Sequence, residues 1–248
     1  MSRGKKRSNR RNRTVGTPKW VLGAVGVGGV VAIALAFLAV SANRAPESTY
    51  VRPPAAAEEP PAAVVEVTAL AFIGDSYLAA SESSDWVSAV TGQMPVAATA
   101  SISSLGGSGY VTRGLSDSVF GEHVVDMVSD KTDVVVFFGS RNDAGQGNVG
   151  AAATAAYVEA LALAPSAKLV VVGPVWTDEN VPSSIETLND ELRASVDGFG
   201  GMYVDAIAEG WFFNENASLI GSDGVHPSDE GRTYIATLML PHLTAATT

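Results

Sequence analysis

The stretch Val67–Ser76, VTALAFIGDS, decides how the chain reads. Uncharged, mostly apolar residues run to Ile73 without the alternation of a half-solvated strand, then stop on Gly-Asp-Ser. Such a run, bounded by turn residues, reads as a strand buried on both faces. The same pattern recurs at Asp133–Phe138 (DVVVFF), followed by Gly139-Ser140-Arg141-Asn142-Asp143, and at Lys168–Gly173 (KLVVVG). Val96–Ser101 and Met202–Asp205 read as two further strands. Helical patterns separate them: Asp85–Gln93, Glu122–Ser129, Ala151–Ala164 (stopped by Pro165), the amphipathic Ser183–Asp197, and Ser228–Leu240. In the last of these Ser228 suits the N-cap, and Asp229 and Glu230 suit the first turn. Apolar strands alternating with helices imply an α/β fold, a parallel sheet covered on both faces. Sites in such sheets form at the carboxyl ends of the strands.

The residues at those ends carry the chemistry. Gly74-Asp75-Ser76 follows the first strand and Gly106-Gly107-Ser108-Gly109 the second. Gly139 to Asp143 follows the third, and Asp223-Gly224-Val225-His226-Pro227-Ser228 precedes the last helix. A serine hydroxyl attacks a carbonyl only when a base takes its proton. His226 is the suitable base, because imidazole titrates near neutrality. Asp223, three residues earlier across a Gly-containing turn, is placed to hold the other ring nitrogen. An oxyanion would then need donors. The candidates are the backbone N–H of Ser76, that of a loop glycine, and the side-chain amide of Asn142.

These four blocks, in this order, resemble the SGNH hydrolases, or GDSL esterases and lipases, across the body from about Val67 to His242. The resemblance implies a three-layer α/β/α flavodoxin-like fold with a five-stranded parallel sheet. It implies ester hydrolysis through an acyl-enzyme, with no cofactor and no metal. By the same matches Ser76 would be the nucleophile, His226 the base and Asp223 its orienting acid. Ser76, Gly107 and Asn142 would form the oxyanion hole, with Gly106 the neighbour that Gly107 could be confused with. The family's third block is Gly-x-Asn-Asp, whereas here two residues separate Gly139 from Asn142. A bulge would absorb the extra residue, or the amide would swing off target.

Other polar and aromatic residues have plainer readings. Asp75 and Asp143 suit side-chain bonds within their own loops. Arg141 pairs with an acid of the body or touches substrate. Trp176 and Tyr77 wall the acyl pocket or pack in the core. His123 and His242 lack flanking acids and read as surface or packing residues.

Charge and composition place the body. Residues 1–19 hold eight of the 16 basic residues and no acid, so the remainder sets eight basic against 26 acidic residues, a formal charge of −18. A body that acidic is a poor partner for nucleic acid. With no cysteine, disulfides and thiolate chemistry are excluded. Val21–Val40 is uncharged and, at helical rise, spans roughly 30 Å, one hydrocarbon core. With Trp20 at its entrance and the basic head before it, residues 20–40 read as a signal anchor and residues 1–19 as cytoplasmic. The rival is a signal peptide cleaved after Ala42. Residues 41–65, with five prolines, read as a disordered linker. The hydrolase domain is expected over residues 66–248, outside the membrane and monomeric. Its expected substrate is a small-molecule or glycan ester with a short acyl group, acetyl foremost. The rivals are an acyltransferase acting on cell-envelope glycans and a non-catalytic surface binding module.

Overall fold

Side chains alternate across a strand, so a strand apolar throughout needs cover on both faces. The computed structural model, which describes residues 66–139 and 141–248, shows how that cover is supplied. Five strands, β1 (Thr68–Gly74), β2 (Ala98–Ser104), β3 (Val134–Phe138), β4 (Lys168–Val172) and β5 (Met202–Val204), form one parallel sheet in the order β2-β1-β3-β4-β5. The helices are α1 (Trp86–Gln93), α2 (Val124–Met127), α3 (Val149–Leu163), α4 (Ser183–Asp197) and α5 (Asp229–Ala246). Leu70, Phe72, Val136, Phe138 and Val172 face a layer in which α1 packs on α5 through Trp86, Val90, Ile235 and Met239. Ala71, Ile73, Val135, Phe137 and Val171 face the opposite layer, where α3 packs on α4 through Ala153, Tyr157, Leu188 and Leu192. The three-layer α/β/α expectation therefore holds over the described residues.

The expected basic head, membrane anchor and linker (residues 1–65) lie outside the described residues. Among the described residues no helix is long and apolar enough to cross a membrane.

Most elements match the sequence reading to within two residues, and three differences have a physical reason. The second strand begins at Ala98 and reaches Ser104, instead of spanning Val96–Ser101. It is an edge strand of Ala, Ser and Thr with one apolar Ile102, so its bounds follow its register on β1, Thr68↔Ala98 to Gly74↔Ser104, and not a hydrophobic pattern. The helix expected at Glu122–Ser129 starts earlier, as a 3-10 turn at Phe120–His123, and α2 ends at Met127. Fully buried Phe120 and Val124 pin that segment. The last helix runs through Pro241 to Ala246, past the expected Leu240. An internal proline costs about 3 kcal/mol. Leu243, buried in line with Ile235 and Met239, offsets that cost, since burying one such side chain contributes about 1.5–3 kcal/mol.

The register sets up the site. Gly74 lies opposite Ser104 and Phe138, Phe138 opposite Val172, and Val172 opposite Val204. All five strands thus end on one rim.

Candidate active site

The first block is a turn that buries its flanks and leaves its serine at the rim. Gly74 is required there, because a Cβ would meet the Phe138 carbonyl oxygen at 2.4 Å. Asp75 is buried, and its Oδ1 accepts from Tyr77 N at 2.9 Å, capping the 3-10 turn Ser76–Leu78. Tyr77 and Leu78 are buried beneath that turn. Gly139, with φ +101°, packs against the Asp75 carboxyl, where a Cβ would lie 2.6 Å away.

The last block is a tight loop. Gly221 N donates to His226 O at 2.8 Å and Ser228 N to Leu219 O at 2.8 Å. Gly224 takes φ +69° between them. Asp223 Oδ1 accepts from the backbone N–H groups of Val225 (2.9 Å) and His226 (3.0 Å). Its Oδ2 lies 2.7 Å from His226 Nδ1, and His226 Nε2 lies 2.8 Å from Ser76 Oγ. The structure thus brings Ser76, His226 and Asp223 into one chain of hydrogen bonds across 150 residues of sequence. The bond from the His226 ring, then the backbone N–H groups of His226 and Val225, hold the Asp223 carboxyl well below the usual carboxylate range. With Asp223 ionised, the ring proton belongs on Nδ1, and Nε2 presents its lone pair to the serine hydroxyl. The side chains of His226 and Asp223 are 42% and 52% exposed, so the chain of bonds stands open at the rim.

Tyr77 braces this pair. Its hydroxyl donates to Val225 O at 2.5 Å, tying the residue after Ser76 to the residue before His226. Burial pushes the Tyr77 phenol up to about 12.

The remaining candidates face the same space, a cavity of about 310 Å³ lined by Ser76, Gly106, Gly107, Asn142 and His226, among others. Gly107 takes φ +74°. Neither the Ser76 nor the Gly107 N–H donates to an acceptor among the described residues. Asn142 Nδ2 donates to Ser108 O at 2.8 Å and, through a longer bond of 3.5 Å, to Asp75 Oδ2. One amide hydrogen is thus well anchored, and the residue still lines the cavity despite the extra residue after Gly139. The 3-10 turn Arg141–Asp143 holds it there. Asp143, fully buried, accepts from the N–H groups of Tyr110 (2.6 Å), Val111 (3.3 Å) and Thr112 (2.8 Å). A larger cavity, about 370 Å³, lies at the other end of the sheet against Thr68, Asp133 and Lys168. Its lining pairs no serine with a histidine.

Sequence reasoning missed two apolar residues at the mouth, Leu115 and Val225. Leu115 is 95% exposed. A lone leucine in the polar loop after the glycine block was the available signal. His123 bonds Ser103 and Ser118, and His242 pairs with Glu209; neither lines the cavity.

A parallel α/β sheet with a Ser-His-Asp hydrogen-bond chain at its carboxyl rim defines a class, the α/β hydrolytic enzymes that work through serine. Residues 72–233 match the family model described as the GDSL-like lipase/acylhydrolase family. The chain is 36% identical over 186 residues to the GDSL lipase Rv0518 of Mycobacterium tuberculosis, covering 69% of this chain and 80% of that protein. The chain therefore belongs to the GDSL-like lipase/acylhydrolase family and is a serine esterase. Two solved structures share the fold. The lipase/acylhydrolase from Enterococcus faecalis superposes with a TM-score of 0.57 at 16% identity, over 72% of this chain and 96% of that one. Est24, a carbohydrate acetylesterase from Sinorhizobium meliloti, gives 0.54 at 14% identity, over 72% and 99%.

Proposed function

We propose that this esterase removes short acyl groups, acetyl foremost, from carbohydrate esters, with Ser76 as nucleophile, His226 as base and Asp223 as its orienting acid. The observation that carries the reading is the unbroken series Ser76 Oγ, His226 Nε2, His226 Nδ1, Asp223 Oδ2, with contacts of 2.8 and 2.7 Å. Ser76 Oγ attacks the ester carbonyl while its proton passes to His226 Nε2. The carbonyl oxygen becomes an oxyanion that accepts from Ser76 N–H, Gly107 N–H and Asn142 Nδ2, whose long bond to Asp75 is exchanged for the oxyanion. The intermediate collapses, and His226 returns the proton to the leaving alcohol. Water, deprotonated by the same imidazole, then releases the acid and restores the serine.

The open rim supports the substrate class. With His226 and Asp223 about half exposed, a bulky alcohol such as a sugar can lie across the site. The fold shared with a carbohydrate acetylesterase agrees with this. We further propose that residues 20–40 anchor the domain outside the membrane, on the strength of the basic head before that apolar run. A hydrolysis series from nitrophenyl acetate through butyrate and octanoate to palmitate, with acetate release from an acetylated polysaccharide, tests the substrate. kcat/KM should peak at the shortest acyl groups, with acetate freed from the polymer. A maximum at palmitate with an inert polymer would refute it.

A further inference from the structure

Among the described residues, three buried side-chain nitrogens lack a hydrogen-bond partner: Arg141 Nη1, Trp176 Nε1 and Arg232 Nε. Two of them belong to one stacked pair beside Ser76. The Arg141 guanidinium carbon lies 4.7 Å from the centroid of the Trp176 ring, and Arg141 lines the cavity that holds Ser76, Asn142 and His226. The stack fixes the plane of the guanidinium. The backbone beneath it is fixed too, because the turn Arg141–Asp143 is pinned by the Asp143 carboxylate on three backbone N–H groups. A cation is thus held in place, next to the residue that offers the Asn142 amide, with a donor left over.

Arginine has donors and no acceptor, and an unpaired buried donor is destabilising. Such a group calls for an explanation, and because the residue that carries it lines the reaction cavity, an acceptor arriving with the substrate would supply the missing partner. A carboxylate is the best match, because charge-assisted bonds to guanidinium are the strong ones. The rest of the body works against an anion: residues 20–248 carry a formal charge of −18, and their field repels acidic substrates. Any preference for an anion must therefore be local to Arg141.

We infer that Arg141, braced by Trp176, recognises a carboxylate carried by the ester substrate and makes the enzyme selective for acidic esters over neutral ones. The inference rests on the proposed reaction at Ser76. Arg141 is then a specificity-determining residue. The carboxylate sits on the acyl side or on the alcohol side of the ester, and two pairs of probes separate these cases. Nitrophenyl acetate against mono-nitrophenyl succinate tests the acyl side. Phenyl acetate against carboxyphenyl acetate tests the alcohol side.

The readout is the ratio of kcat/KM, acidic over neutral, each corrected for the full rate of that ester without enzyme, which for the succinate includes attack by its own carboxylate. A ratio is unaffected by the fraction of enzyme that folds, since both probes meet the same preparation. The wild type should favour the acidic member of at least one pair by about tenfold or more, and Arg141→Gln should lower that ratio by about tenfold to a hundredfold, mainly through KM. Arg141→Lys should keep part of the preference, because charge remains while the planar fork is lost. Trp176→Phe should lower it less than Arg141→Gln does. Two results overturn the inference: no acidic preference in either pair, or a ratio that Arg141→Gln leaves unchanged. Hydrolysis of the neutral esters separates these failures from a failure of the esterase reaction itself; if no ester were cleaved, both would fall.

Discussion

Asp223→Asn should slow the enzyme by about a thousandfold to ten-thousandfold while leaving it folded. The reason lies in the two jobs of the carboxylate. Oδ1 accepts from Val225 N and His226 N, and Oδ2 faces His226 Nδ1 at 2.7 Å. An asparagine can keep the first job only by placing its amide oxygen where Oδ1 stood. Flipping the amide would strand two backbone donors, at about 1–3 kcal/mol each. In the preferred placement the amide NH₂ faces Nδ1, which must then accept. The ring proton moves to Nε2 and points at Ser76 Oγ, so the imidazole can no longer take the hydroxyl proton. A wrong tautomer of this kind costs about 10⁴ in kcat in a comparable triad, or about 5.4 kcal/mol of transition-state stabilisation. Exposure of both side chains at the rim screens the purely electrostatic part, which sets the lower bound of the range. Steady-state hydrolysis of nitrophenyl acetate measures the effect, and thermal unfolding checks the fold. A loss under tenfold would refute the reasoning, because Asp223 would then neither orient nor select the tautomer of His226.

Three further perturbations follow from the geometry. Asn142→Ala removes a proposed oxyanion donor and should lower kcat by about 100- to 1,000-fold with little change in KM, measured on the same ester. Gly139→Ala places a methyl 2.6 Å from the Asp75 carboxyl at φ +101°; backbone strain of about 1–3 kcal/mol and overpacking of about 1–3 kcal/mol should appear as a lower denaturant midpoint. Alkali should unfold the protein through its tyrosines. Burial holds the Tyr77 phenol up to about 12 and raises Tyr110, Tyr157 and Tyr203 as well, while the unfolded phenols ionise near about 10. Their contribution is complete below about pH 10 and is lost as the pH climbs toward 12, so unfolding temperature should drop steeply across that interval, with phenolate absorbance rising at the transition.

The sheet was legible because β1, β3 and β4 are apolar on both faces, a pattern that few other environments tolerate. The candidate site was legible because its serine, asparagine, histidine and aspartate sit in short glycine-containing blocks, most of them at strand ends. β2 was misplaced for the opposite reason: an edge strand such as ATASISS has no hydrophobic period, and only its pairing with β1 defines it. The reach of α5 beyond Pro241 was hidden because burial of Leu243 overrides a local rule. Tyr77 and Arg141 were visible as residues, each with two open readings, but their contact partners were not. The Tyr77 hydroxyl finds Val225 O across 148 residues, and Arg141 finds Trp176 from a separate strand end. No local spacing encodes either contact.

The central claim is that the environment of Ser76 makes its hydroxyl nucleophilic. Mass spectrometry of the protein after treatment with a fluorophosphonate tests it most directly. One phosphonyl adduct on the Ser76 peptide, lost in His226→Ala, is the predicted result. An unlabelled Ser76 in active, folded protein, or equal labelling without the imidazole, would contradict it.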